Sequence, residues 1–148
     1  MERVRVILGS DHAGFHLKEY LKGRLIEWGY EVEDMGAHSE ASVDYAHFGE
    51  VVGRRVVELQ PSARGVCVCG SGLGIAMAAN KVTGARAAPV GDVTAARLSR
   101  LHNDANVLCL GERLIGQAVA EDSLRAFLET KFEGGRHEER IRQLDALK

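Results

Sequence analysis

The sequence predicts an α/β fold: a three-layer sandwich with helices on both faces of a parallel sheet of about five strands. Three observations lead there. Short β-rich runs alternate with segments of helical period along the whole chain. The run Gly65-Val66-Cys67-Val68-Cys69 is almost continuously apolar, as expected of a strand covered on both faces. The length of 148 residues suits one domain with a substantial core, so a single domain over 1–148 is expected.

Val4 to Leu8 reads as the first strand, ending at Gly9. From about Phe15, Leu17, Tyr20, Leu21, Leu25 and Trp28 recur at intervals of three and four, predicting a helix. Tyr30-Glu31-Val32 reads as a second strand. The helix after it carries Tyr45, Phe48, Val51, Val52, Val56 and Leu59 and is stopped by Pro61. Gly65 to Cys69 is the third strand, followed by a small-residue helix from Ile75 to Val82. Ala85–Val90 and Asn106–Leu110 read as two more strands. Between them a helix runs from about Val93 to Leu101, with Asp92 as its N-cap. Val119, Leu124, Phe127 and Leu128 mark another helix. After Phe132 the chain turns polar, and Ile141, Leu144 and Leu147 leave one thin apolar stripe on a C-terminal helical arm, suited to packing on a partner. The arrangement is Rossmann-like.

Composition excludes several functions. The 19 Lys and Arg against 21 Asp and Glu give a net charge of −2, so no broad basic field exists for nucleic acid or an anionic membrane. No apolar run approaches the ~18 residues of a membrane span. The start, Met1-Glu2-Arg3-Val4-Arg5, lacks the apolar stretch of a secretory signal, so a cytoplasmic protein is expected. Cys67 and Cys69 lie about 6.6 Å apart along one strand, too far for a disulfide, and reduced thiols are expected.

The strongest chemical signal is the loop Cys69-Gly70-Ser71-Gly72-Leu73-Gly74, placed between an apolar strand and a helix. Such a loop aims free amides at an anion beyond the carboxyl end of the sheet. It is not a dinucleotide loop, because Ile75 stands where the third glycine belongs, and it lacks the Gly-Lys-Ser/Thr ending of a P-loop. Ile75 also stands where a cysteine-phosphatase loop would carry its arginine. A second loop, Gly9-Ser10-Asp11-His12-Ala13-Gly14, offers Asp and His and has Phe15 in the P-loop lysine position. The setting of Cys69 favours a thiolate, whereas Cys67 and Cys109 read as core residues.

His12 and His16 are four apart, but Ala13 replaces the Glu of a His-Glu-x-x-His zinc site, and no metal is expected. His102-Asn103-Asp104 follows a helix, in a loop able to present polar side chains. His38 and His47 acquire no role from spacing. Arg136 and Arg140 are four apart, on one helical face, either clamping a phosphate or pairing with Glu138 and Glu139.

Taken in order, Asp11-His12-Ala13-Gly14, Asp44-Tyr45, Cys69-Gly70-Ser71-Gly72-Leu73-Gly74-Ile75, Ala79-Asn80-Lys81, His102-Asn103-Asp104 and Gly134-Gly135-Arg136-His137-x-x-Arg140 resemble the type B ribose 5-phosphate isomerase family, from Val4 to about Leu144. That family also includes galactose 6-phosphate, allose 6-phosphate and four-carbon sugar-phosphate isomerases. The resemblance implies metal-free, cofactor-free aldose–ketose isomerisation through an enediolate. Cys69 matches the thiol that moves a proton between C1 and C2. Ser71 and the amides of Gly70, Gly72 and Gly74 match the oxyanion hole. His102 with Asp11 matches the pair that opens the sugar ring, Tyr45 and Asn103 the hydroxyl contacts, and His12, Arg113, Arg136 and Arg140 the phosphate side. It further implies a homodimer or dimer of dimers with sites shared between subunits. Two departures bear on specificity: Ala46 replaces a proline found in many members, and Ser71 replaces a threonine found in several. Other sugar phosphates, and more remotely a non-catalytic phosphosugar-binding module, are the alternatives.

Overall fold

The computed structural model describes residues 3–147. In chain order its elements are β1 (Arg5–Ser10), a 3-10 turn (His12–Gly14), α1 (Phe15–Glu27), β2 (Val32–Asp34), α2 (Tyr45–Leu59), β3 (Ala63–Cys69) and α3 (Leu73–Ala79). There follow β4 (Ala87–Pro89), α4 (Val93–Leu101), β5 (Val107–Gly111), α5 (Gln117–Glu129), a second 3-10 turn (Gly135–His137) and α6 (Glu138–Ala146). The five strands form one sheet in the order β2-β1-β3-β5-β4, with every pairing parallel. This is the Rossmann-like α/β architecture expected from the sequence.

The continuous apolar runs are explained by two cores, one on each face of the sheet. Val6, Leu8, Val66, Val68, Leu108 and Leu110 pack against α1, α4 and α5, where Leu21, Ala96, Leu124 and Phe127 are buried. The alternate residues Ile7, Cys67, Cys69 and Cys109 face Val52 and Val56 of α2 and Ile75 of α3. Cys67 and Cys69 therefore point the same way, as their spacing requires, and all three cysteines are free and buried. Among the described residues no helix is long and apolar enough to cross a membrane.

Departures from the expected boundaries have local causes. β2 begins at Val32, because the Tyr30 amide donates to Leu25 O and finishes the turn after α1. The strand then runs through Glu33 and Asp34, poor strand formers that are neutralised by Arg55 and Lys18. β4 is reduced to three residues because side chains take over its backbone pairing. Asn106 Oδ1 accepts from the Arg86 amide, and Asn80 bonds both the amide and the carbonyl of Ala87. Pro89 is tolerated there because β4 is an edge strand. The expected cap of α4 is present, with Asp92 Oδ1 accepting from the Ala95 amide at 2.7 Å.

The C-terminal arm is held by Arg86, whose Nη1 lies 3.0 Å from Asp145, and by burial of Ile141. Leu144 and Leu147 remain exposed, so this chain covers only one residue of the apolar stripe.

Candidate active site

In this strand order the chain passes from β1 out to β2 and then back across to β3, which opens a crevice at the carboxyl ends of β1 and β3. A cleft of about 450 Å³ lies there, lined by Asp11, His12, Tyr45, Cys69, Ser71 and Arg113, with Gly70 and Gly74 in its wall. A larger cleft of about 510 Å³ lies against α6. Its guanidinium, Arg86, is already committed to Asp104 and Asp145, and neither cysteine nor histidine is in its lining. The chemistry favours the smaller cleft.

Cys69 ends β3 and is buried except for a small fraction of its surface. The Gly72 amide donates to its Sγ at 3.1 Å, which holds the sulfur against the loop. Gly72 adopts φ +77°, and a Cβ built on it would sit 2.8 Å from the carbonyl carbon of Leu110. Only glycine therefore delivers this amide without strain. The Ser71 hydroxyl accepts from the Leu73 amide at 3.2 Å, which orients it at the loop surface. Gly74 lets Tyr45 lie across the loop, because a Cβ there would be 2.6 Å from the tyrosine ring.

Asp11 follows β1 and caps the 3-10 turn, its Oδ1 accepting from the Gly14 amide at 3.0 Å. That turn packs directly on the backbone of Val68 and Cys69. Nδ1 of His12 lies 3.2 Å from both the amide nitrogen and the carbonyl oxygen of Val43, which fixes the ring. His12 belongs to the 3-10 turn, whereas His16 belongs to α1 and pairs with Glu40 at 2.6 Å. The single helical face that their spacing would have them share does not form. Arg113 is drawn to the cleft because its amide donates to Gly70 O and that of Glu112 to Cys69 O. Ala13 and Leu114 also line the cleft. Sequence reading missed them because apolar side chains in loops carry no chemical signal. Glu112 was missed as well, although an acid directly after a strand is a signal: its Oε1 accepts from the Leu17 amide at 2.6 Å in the first turn of α1.

His102, Asn103, Arg136 and Arg140 are not in this cleft. The reason is topological. α4 returns antiparallel to the strands, so His102 at its C-terminal end lies at the amino edge of the sheet, beside Gly65 rather than Cys69. Those edges are separated by four residues of β3, about 13 Å. Arg136 lies in the second 3-10 turn and Arg140 in α6, both exposed. The alternative pairing with Glu138 and Glu139 does not form. Glu139 binds Arg142 instead, and among the described residues Arg136 and Arg140 have no carboxylate partner. Asp104 shapes the loop that carries His102 and Asn103. It takes φ 46° and is held by Arg86 and Arg100.

Comparison with known proteins places these features in a family. Escherichia coli ribose-5-phosphate isomerase B is 39% identical over 143 residues, covering 97% of this chain and 95% of that protein. The crystal structure of a ribose 5-phosphate isomerase from Thermotoga maritima superposes with a TM-score of 0.94 at 44% identity, over 99% of this chain and 100% of that one. The Mycoplasma genitalium enzyme, solved with bound ribulose-5-phosphate, has a TM-score of 0.93 at 36% identity, over 98% and 96% of the two chains. The profile of the ribose/galactose isomerase family matches residues 6–144, and the chain belongs to that family.

Proposed function

We propose that this isomerase interconverts ribose 5-phosphate and ribulose 5-phosphate, with Cys69 as the base. The observation that carries the reading is the convergence of the Cys69 sulfur, the glycine loop that follows it, Asp11 and Arg113, which has no carboxylate partner among the described residues, on one cleft. Cys69 as thiolate takes the C2 proton of the open-chain aldose and returns it to C1, while the O2 proton passes to O1 and the oxygens carry the enediolate charge between the two steps. The amides of Gly70 and Gly74, with the Ser71 hydroxyl, hold that charge, while the Gly72 amide is given to the sulfur; one such donor is typically worth about 2.7 to 4 kcal/mol of barrier. Arg113 and His12 hold the remote phosphate, which positions the carbon skeleton. Tyr45 orients hydroxyls. The bound ribulose-5-phosphate of the Mycoplasma genitalium relative favours a five-carbon substrate. Three unpaired cysteines fit a reducing compartment, and we place the protein in the cytoplasm.

The half-site seen in one chain lacks the ring-opening histidine. A second copy, related by a two-fold axis, supplies His102, Asn103, Arg136 and Arg140 to the cleft of the first. Leu73, Met77 and Leu114 are large, exposed apolar residues on or close to the cleft, as a face covered by another subunit would be.

Two assays test this. Chelator-treated protein is expected to convert ribose 5-phosphate to ribulose 5-phosphate faster than it turns over four- or six-carbon sugar phosphates. Preference for one of those assigns the substrate elsewhere in the family, and binding without any turnover leaves only a phosphosugar-binding module. The second assay mixes Cys69→Ala and His102→Ala chains after co-refolding. Hybrid dimers keep one intact site of two, so roughly a quarter of wild-type activity returns from two inactive parents. No recovery from a proven hybrid dimer places both groups in one chain's site.

A further inference from the structure

The amino edge of the sheet holds a cluster of which the isomerase reading uses only His102. His102 and His137 stack with ring centroids 4.5 Å apart and planes inclined by 17°. Glu133 reaches both, 4.0 Å from each Nε2. The ligating atoms of the three side chains lie within 4.8 Å of one another. That proximity alone would fit a cation, but an imidazole binds metal in its ring plane. Two stacked rings inclined by only 17° have planes that meet well beyond bonding distance, so the arrangement is built for stacking.

His137 is an unusual residue to bury. It is 4% exposed, and its Nε2 has no hydrogen-bond partner. Burial, then the neighbouring charge of Arg136, hold its imidazole below the ordinary histidine range, so it is neutral at neutral pH. Its place is fixed on purpose by the backbone. Gly134 and Gly135 both take positive φ, 72° and 56°, and fold the chain back so that His137 faces inward while Arg136 faces out. The Glu133 amide donates to Leu101 O at 3.1 Å, which ties the arm to the turn carrying His102. Arg100 adds a second tie through Thr130 O and Ala105 O.

We propose that His137 and Glu133 are positioning residues for His102, holding its ring in the orientation that opens the cyclic sugar in the neighbouring subunit's site. This rests on the isomerase reading above. As His102 accepts the proton of the anomeric hydroxyl, the bond from C1 to the ring oxygen breaks, the C1 carbonyl forms and the departing ring oxygen takes its proton through Asp11; the charged His102 ring then meets the face of a neutral ring, an environment that accommodates the new positive charge, and a carboxylate beyond. Neither His137 nor Glu133 exchanges a proton with the substrate.

The test separates ring opening from the Cys69 step. Ribulose 5-phosphate has its 5-oxygen blocked by phosphate and cannot form a five-membered ring. Exchange of its C1 proton with deuterated water therefore reports proton abstraction alone. In His137→Leu, turnover of ribose 5-phosphate is expected to fall about 10- to 100-fold at nearly unchanged KM, with deuterium exchange preserved. His137→Phe keeps a flat ring and is expected to recover most of the turnover. Glu133→Gln, at an exposed position that tolerates substitution, is expected to slow ribose 5-phosphate conversion and spare exchange in the same manner. Equal loss of turnover and exchange in these variants, or Leu and Phe performing alike, overturns the positioning role. Absence of exchange in the wild-type protein instead overturns the isomerase reading itself.

Discussion

Cys69→Ala is expected to lower turnover of ribose 5-phosphate by about 10²- to 10⁴-fold, the usual worth of a general base, with KM changed little. The phosphate grip does not use the sulfur, since Arg113 and His12 reach the cleft from other loops. The fold survives, because removing one sulfur from the edge of the second core costs on the order of 1 kcal/mol. Circular dichroism melting checks that survival, and initial rates at saturating and limiting substrate give kcat and KM. Cys69→Ser is the sharper variant. It retains an acceptor for the Gly72 amide but presents a hydroxyl that does not ionise at neutral pH, so it is expected to be nearly as slow as alanine. Cys109→Ala provides the contrast. Burial, then the adjacent Cys67, push the Cys109 thiol well up, so it stays protonated. Its loss changes stability and leaves turnover alone. Full activity in Cys69→Ala removes the sulfur from the mechanism.

The strands were legible because β1, β3 and β5 are covered on both faces, which writes an uninterrupted apolar run into the sequence. The Cys69 loop was legible because the glycines needed for close approach and for φ +77° at Gly72 are rare outside such loops. β2 and β4 were misplaced by one or two residues because side-chain partners, not propensity, set their ends. Asn80 and Asn106 replace strand neighbours of β4, and nothing in their spacing announces it. The roles of His102 and Asn103 came only from the family resemblance, which also decided between the phosphate clamp and the ion pairing that spacing left open for Arg136 and Arg140. Within one chain the topology sends α4 away from Cys69, so no argument from a single chain unites them. His137 was passed over because a histidine flanked by Arg136 and Glu138 reads as surface, whereas two left-handed glycines turn it inward.

Lys18→Met is expected to destabilise the protein by about 3 to 5 kcal/mol, the usual result of removing one member of a buried ion pair. Lys18 lies at the helical spacing of Leu21 and Leu25, on the apolar face of α1, and is completely buried. Its Nζ lies 2.8 Å from both oxygens of Asp34 and 2.6 Å from Ala37 O. Asp34 in turn accepts from the Gly36 amide at 2.9 Å, and Gly36 and Ala37 pair with the backbone of Ser10, one residue before Asp11. The buried charge thus anchors the segment between β2 and Tyr45 to the strand that presents Asp11. Urea unfolding is expected to show the stability loss, and the surviving folded fraction a reduced kcat. Acid supplies the second signature. Burial raises the Asp34 carboxyl, but Lys18, the Gly36 amide and Lys22 outweigh it and leave the group below its ordinary value. A carboxyl depressed in the folded state contributes stability in full above its unfolded pKa, about 3.9, and loses it as pH falls through the folded value. The wild type therefore gives up this increment only below about pH 4. In Lys18→Met the balance at Asp34 tips toward burial, its carboxyl protonates more readily, and the gap between variant and wild type narrows as the solution is acidified. A gap independent of pH between 7 and about 3 means that Lys18 acts through packing of its stem rather than through its charge.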